Sequence, residues 1–381
     1  MRIAITTWHS GPNAGTFFQV FGLYKYLSER GHHVAVIDYN HGNHPDDFLP
    51  RGWYYYFSQF LGLFKRKIHE RGAISTFENS IVPYKADLEL RDRRFEEMYG
   101  KMQYTQSINS DEDFRKLNDD FDVFIVGSDQ IWNTSMLNRR YLLDYVSSDK
   151  IKASYAPSMG AGQVLSYQRI MFKKYLLSFD YISTREKRLA DILNRELEQN
   201  VEHVLDPSML ISKDEYLKMA HLPEQFQPNS YLLCYFMPNN EKQRQQIIDY
   251  AQKHNLKIVM MAMFAKDYSF KEAEIYAAAG PCEFIGLIAN AAAVFTSSFH
   301  CTIFSILFNK ELFVFQSKAP TKSADTNVRF NEQLSAYGIG RNIAWLEDWS
   351  AELEEPISYE RVNAIFERRL QQSKKYLNQF V

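Results

Sequence analysis

The chain has 381 residues, 45% hydrophobic and 24% charged, with a formal net charge of -2. That length suits two ordinary domains better than one core. The near-neutral charge excludes a global field that would draw the protein onto nucleic acid or an anionic bilayer, so any bound anion must be caught by local groups. Three cysteines, Cys234, Cys282 and Cys301, contain no Cys-x-x-Cys pair. No disulfide framework is expected, and a reducing cytoplasm is the default. The opening MRIAITTWHS lacks the pattern of a signal peptide, and no run of about 18 apolar residues marks a spanning helix. Aromatic residues make up 15% of the chain, which fits ring-rich cores or, for some of the rings, contact with sugars or a membrane surface.

Arg2–Thr7 reads as a buried strand, followed by a loop from Gly11 to Gly15. Phe17, Val20, Phe21, Tyr24 and Leu27 then recur at helical spacing up to Gly31, and His33–Tyr39 is the next strand. This β-loop-α-β unit opens a doubly wound sheet. Residues 41–120 read as a helical insertion. Within it, Arg51–Gly72 holds seven aromatics and then Lys65, Arg66, Lys67 and Arg71. The segment Trp53–Arg71 fits an interfacial helix on anionic lipid, or a buried helix with a solvated basic end. The sheet resumes in Phe121–Asn133, and Lys150–Gly160 gives a further strand and loop. Asp180–Thr184 runs directly into Arg185, and Val201–Leu205 ends at Asp206-Pro207. The polar stretch Ser212–Asn229, with Pro223 and Pro228, places a domain boundary. Strands at Tyr231–Met237, LKIVMMA, AAAVFTS and ELFVFQ, with helices at Glu241–His254, Pro281–Asn290 and SFHCTIFSILFNK, repeat the pattern. Tyr359–Val381 is a terminal helix with one apolar face, of Val362, Ile365, Phe366, Leu370 and Leu377, suited to packing back on the first domain. The expected fold is therefore α/β, with two Rossmann-like domains facing a cleft. They comprise residues 1–211 and 212–358, with residues 359–381 as the returning helix.

Ligands of open α/β sheets bind beyond the carboxyl ends of the strands, so post-strand residues are the candidates. Thr296 ends a strand, Ser297 or Ser298 caps the next helix, and His300 lies in its first turn. A helix start attracts phosphate or carboxylate, and an imidazole moves protons near neutral pH. Position alone fits a core histidine equally well. Arg185 offers a planar fork to an anion, or a surface ion pair with Glu186 or Asp191. Gly127-Ser128-Asp129-Gln130-Ile131-Trp132-Asn133 crowds acceptor groups and an indole into one loop. That loop suits a sugar, or a structural role with Asp129 as cap and Trp132 as plug. There is no phosphate-binding G-x-x-x-x-G-K-[ST] loop, no G-x-G-x-x-G turn, no G-x-S-x-G elbow and no metal-ligand cluster. Neither metal nor nicotinamide is expected.

At these positions the sequence resembles the polysaccharide pyruvyl transferase family over roughly residues 1–345. The likeness rests, in order, on KYLSERGHHVAVIDY, FIVGSDQIWN, KASYAPSMG, ISTREK, VLDPSML and TSSFHCTIFSILFNK. The first loop reads PNAGTFFQ where relatives have a more open Asn-x-Gly-Ala run, and Cys301 stands where glycine is common. The resemblance implies a GT-B-like glycosyltransferase architecture. It implies phosphoenolpyruvate as co-substrate without a further cofactor, and transfer of pyruvate as a cyclic ketal onto two hydroxyls of one sugar. Arg185, Ser297, Ser298 and a lysine beyond the last strand, Lys318 or Lys322, would hold the donor. His300 and Arg185 would be catalytic, and Asn13, Ser128, Asp129, Gln130, Trp132 and Asn133 would shape the acceptor side. The acceptor would be a surface-polysaccharide sugar on a lipid diphosphate at the cytoplasmic face of the inner membrane, with Trp53–Arg71 as a peripheral contact. The rivals are a GT-B glycosyltransferase using a nucleotide sugar and a non-catalytic glycan-binding member.

Overall fold

Strands buried on both faces must be largely apolar, and the central strands of both sheets are. The computed structural model describes residues 1–40, 42, 44–49, 81–133, 137–160, 166–236, 241–264, 266–315, 327–340 and 355–381. Trp53–Arg71, Lys318 and Lys322 lie outside these residues. The first sheet contains β1 (Arg2–Thr6), β2 (His33–Val36), β3 (Val123–Val126) and β4 (Ile151–Ser154), in the order β2-β1-β3-β4 and all parallel. A bridge between Ala153 and Tyr181 joins its edge to the parallel pair β5 (Ile182–Thr184) and β6 (Val201–His203). The second sheet contains β7 (Tyr231–Tyr235), β8 (Lys257–Met261), β9 (Ala273–Ile275), β10 (Ala293–Thr296) and β11 (Glu311–Val314), ordered β11-β10-β7-β8-β9 and again all parallel.

In both sheets the strand order reverses around the first strand. The switch points fall between β1 and β3 and between β7 and β10. The crevice beyond such a point is where open α/β sheets bind ligands. The loops emerging there carry Gly11–Gly15, Ser128–Asn133 and Ser297–His300.

The helices, in chain order, are α1 (Ala14–Ser28), α2 (Lys85–Tyr99), α3 (Asp111–Asp120), α4 (Ser166–Leu176), α5 (Lys187–Leu197), α6 (Lys213–Met219), α7 (Glu241–Lys253), α8 (Pro281–Asn290), α9 (Phe299–Leu307), α10 (Asn327–Ala336) and α11 (Tyr359–Leu377). The boundary stretch after Ser212 contains α6, which the sequence reading left as linker. It buries only Tyr216 and so shows no apolar period, but a Ser212–Glu215 capping box starts it. Strand β9, also not anticipated, is three residues long with no buried side chain.

One continuous core joins the halves. Phe18 of α1 lies 4.8 Å from Phe304 of α9 and 5.7 Å from both Phe284 of α8 and Tyr216 of α6, measured between ring centroids. These four rings therefore seal the two halves together. Helix α1 also lies against the turn Pro207–Leu210, where a side chain at Gly22 would come within 2.4 Å of the Pro207 carbonyl oxygen. The terminal helix α11 bridges the halves. Tyr376 donates to the Ser154 carbonyl at 2.8 Å, Ser373 accepts from the Leu205 amide at 2.9 Å, and Tyr359 donates to the Lys310 carbonyl. No helix among the described residues is long and apolar enough to cross a membrane.

Phe18→Ala and Phe304→Ala should each cost about 3–5 kcal/mol in urea unfolding. The double variant should depart from additivity by about 0.5–1.5 kcal/mol, the worth of an aromatic pair beyond its area. Strict additivity would show that the halves do not lean on each other through these rings.

Candidate active site

Helix α9 begins where β10 ends, because Ser298 caps it, its hydroxyl accepting from the Cys301 amide at 3.4 Å. Ser297 donates to the Phe236 carbonyl at the end of the neighbouring β7, tying the two switch-point loops together. Both serines are half-buried. His300 follows in the first turn and is 9% exposed. Its Nε2 lies 3.5 Å from Asp206 Oδ2, an ion-pair distance without hydrogen-bond geometry. Its Nδ1 lies on the other side of the ring, against Gly15. A histidine at the start of α9, in the second half, thus faces a carboxylate and a helix start from the first half.

Asp206 is fully buried, and its oxygens are fully engaged. Oδ1 accepts from the Ser208 amide and hydroxyl at 3.0 and 2.7 Å. Oδ2 accepts from Arg185 Nη1 at 2.8 Å and from the Ser128 hydroxyl at 3.2 Å. Burial on its own would raise the carboxyl's pKa. The opposing charges of His300 and Arg185, together with the hydrogen bond from Arg185, overcome that and hold it well below the usual carboxylate range. Arg185 is 4% exposed, and its guanidinium carbon sits 4.3 Å from the Phe299 ring centroid. Desolvation disfavours its charge, but Asp206, then Glu186 and Asp129, reverse the sign and raise its pKa. Arg185 Nε, Glu186 Oε2 and His300 Nε2 are buried polar atoms without a hydrogen-bond partner. A cavity of about 520 Å3 opens beside Arg185 and Phe299, lined also by His203, Glu332, Gln333 and Arg369, a size typical of small-molecule sites. His203 is pushed down to about 4 by burial and by Arg369, so it accepts from Arg369 Nη2 as a neutral ring, at 3.0 Å.

The remaining candidates divide. Asn13 caps α1, its side-chain oxygen accepting from the amides of Gly15 and Thr16 at 2.8 and 3.2 Å. It is exposed and belongs to the cleft rim. Asp129 has φ +75, a costly conformation for a non-glycine residue. It is held there by bonds to the Gln130 amide at 2.7 Å and the Thr16 hydroxyl at 3.1 Å. Gln130 and Asn133 are half-buried and 3.4 Å apart. Ser128 is fully buried and serves Asp206, not an acceptor. Trp132 is also fully buried. Its indole donates to the Tyr141 carbonyl at 2.8 Å and packs on Phe172 and Phe179. It plugs the core of the first half and has no face to offer a sugar, which corrects the acceptor reading for both residues. Cys301 is a core thiol, pushed up to about 12 by burial, and is no nucleophile.

The sequence reading passed over Asp206, although it lies three residues beyond the end of β6 and so falls under the same positional rule that selected Arg185. It was taken only as the strand's end. Also passed over was a rim pair after β1 and β2, where His9 Nε2 lies 3.4 Å from Asp38 Oδ1 and Nδ1 lies 3.0 Å from the Thr7 carbonyl.

Two doubly wound parallel sheets whose switch points meet over a shared ionic cluster define an α/β protein of the GT-B type. The whole chain is similar to the UDP-GlcNAc 2-epimerase from Neisseria meningitidis bound to UDP-GlcNAc (11% identity, 100% of each chain covered, TM-score 0.51). It is also similar to a putative UDP-N-acetylglucosamine 2-epimerase from Listeria monocytogenes (10% identity, 97% of this chain and 90% of that one, TM-score 0.51). At such identities the likeness shows the fold alone. A search of curated proteins gave no match. The polysaccharide pyruvyl transferase family matches residues 13–318, most of the chain, and the chain belongs to that family.

In an ordinary helix, Gly→Ala stabilises by about 0.5–1 kcal/mol. At Gly15 the new Cβ would stand 2.3 Å from His300 Nδ1. Gly15→Ala should therefore lower stability in urea unfolding. In a His300→Ala background the same substitution should raise it. A stabilising effect in both backgrounds would mean that the imidazole does not rest on Gly15.

Proposed function

We propose that this protein transfers the enolpyruvyl group of phosphoenolpyruvate onto two hydroxyls of one sugar, forming a cyclic pyruvate ketal in surface-polysaccharide synthesis. Family membership supplies the class of enzyme. The buried Arg185–Asp206–His300 array at the meeting switch points is the observation that carries the donor and the chemistry. Phosphoenolpyruvate brings a phosphate and a carboxylate, and the Arg185 fork and the start of α9 at Ser297 and Ser298 are suited to them. Lys318 or Lys322 would add a point charge. The methylene carbon takes a proton and becomes a methyl group, which makes C2 electrophilic. The first hydroxyl oxygen bonds to C2, the C2–O bond to phosphate breaks, and the second hydroxyl oxygen takes its place. Of the two protons lost by the hydroxyls, one balances the new methyl group and the other leaves with phosphate. His300 is the group assigned to moving them. The reaction needs no metal and no further cofactor.

The acceptor sits on the first half, where Asn13, Asp129, Gln130 and Asn133 line the opposing loops. A sugar carried on a lipid diphosphate would bring the enzyme to the cytoplasmic face of the inner membrane, with Trp53–Arg71 as the segment to dock there.

His300→Ala should lower turnover by about 10²–10⁴, the usual worth of a general acid–base, with phosphoenolpyruvate still bound in calorimetry. Arg185→Lys keeps the charge but loses the planar fork, and should instead weaken phosphoenolpyruvate binding. Near-normal turnover in the first variant, or unchanged donor affinity in the second, would remove the assigned role.

A further inference from the structure

A pyranose ring carries a face of C–H groups that an aromatic ring can cover, and Trp132, buried in the first half, has no face to give it. Among the described side chains, one aromatic ring stands half in water. Phe264 is 50% exposed, whereas the other Phe, Tyr and Trp rings are buried or partly buried. It sits on the loop that leaves the carboxyl end of β8, the neighbour of β7. Its ring meets Phe236 edge to face, with centroids 5.1 Å apart and planes at 88°. Phe236 follows β7, and its carbonyl accepts from the Ser297 amide at 3.3 Å and from the Ser297 hydroxyl. Further along the Phe264 loop, Tyr268 packs on Tyr84 of the first half at 5.1 Å. The loop therefore borders the crevice, joined at one end to the start of α9 and touching the first half at the other.

The exposure of this ring is built into the backbone. Asp267 is 2% exposed, and its Oδ2 accepts from the amides of Met263 and Phe264 at 3.0 and 2.8 Å. The Asp267 amide donates in return to the Phe264 carbonyl at 2.8 Å. A buried carboxylate thus clamps the residue whose side chain is left in solvent. Phe236, which supports that side chain, has φ +54, a left-handed conformation that is costly for a residue with a Cβ. A wet apolar ring and a strained support, side by side and bonded to Ser297, forgo stability that burial and relaxed backbone would supply.

We propose that Phe264, with Phe236 as its edge-on support, is a saccharide-stacking platform that takes the C–H face of a pyranose ring of the acceptor. The acceptor then spans the crevice, its hydroxyls toward the loops of the first half and one ring face on Phe264 of the second. A nucleobase is the rival occupant of such a ring, and membership of a polysaccharide-modifying family favours the sugar. The role in turnover rests on the ketal-transfer reading above, whereas sugar stacking on Phe264 does not.

Saturation-transfer NMR on the full chain, without phosphoenolpyruvate, tests the stacking with the methyl glycosides of galactose, mannose and glucose as probes. At least one glycoside should receive saturation, strongest at the C–H protons of one ring face. Phe264→Ala and Phe264→Leu should both abolish it, and Phe264→Tyr, which keeps the flat ring, should restore it. Undiminished saturation in the leucine variant would mean that apolar bulk suffices, and would overturn the stacking; that variant also decides if Phe264→Ala does not fold. No saturation of any glycoside by the unaltered protein, or ring-dependent binding of UDP or GDP in place of the sugars, would overturn it as well. In turnover, Phe264→Ala should raise the acceptor KM at least about fivefold, the low end for removing an aromatic ring from a stacked ligand, with phosphoenolpyruvate affinity unchanged. Weakened phosphoenolpyruvate binding with an unchanged acceptor KM would assign the ring to the donor instead. If the unaltered protein turns over no phosphoenolpyruvate, the ketal-transfer reading fails, and the glycoside binding alone decides the platform.

Discussion

A carboxylate removed from water survives as an anion only if positive charge and hydrogen bonds replace the water it has lost. Asp206 meets that demand with an arginine from the strand beside it, two serines, and a histidine from the other half of the molecule. The site depends on this one satisfied charge. Arg185 would otherwise be a guanidinium buried against an aromatic ring with Glu186, at 3.9 Å, as its remaining ion-pair partner. The opening of α9 would have nothing in the first half to face.

The rest of the fold places that contact. Parallel strands put the ends of β1, β3, β7 and β10 at one level, and the reversal of strand order opens a crevice at each. Helix α1 closes the distance between the halves. Its Gly22 allows the Pro207 turn to approach, its Phe18 meets Phe304, and its Gly15 receives the His300 ring. The position of Asp206 therefore depends on apolar packing one helical turn away from the chemistry. An interface this apolar favours a seated arrangement of the halves over a freely hinged one.

Much of this was legible in the sequence. The alternation of apolar runs with helical periods announced two parallel sheets, and the rule that ligands bind beyond strand ends selected Arg185, His300 and the loop after Gly127. What was not legible came from pairing at long range. Nothing in the string Ser128–Asn133 says that Ser128 points at a residue 78 positions later, or that Trp132 turns away into a ring cluster. Asp206 looked like punctuation because Asp-Pro so often ends a strand. The short helix α6 was missed because one buried tyrosine makes no period.

The donor chemistry is the claim that most needs direct measurement. The protein should be incubated with phosphoenolpyruvate and galactose-, mannose- and glucose-containing acceptors, with free phosphate and product mass followed together. Acceptor-dependent phosphate release, matched by a mass gain of one pyruvate ketal on the sugar, is the expected result. Thermal stabilisation by UDP- or GDP-sugars, with phosphoenolpyruvate neither bound nor consumed, would contradict it.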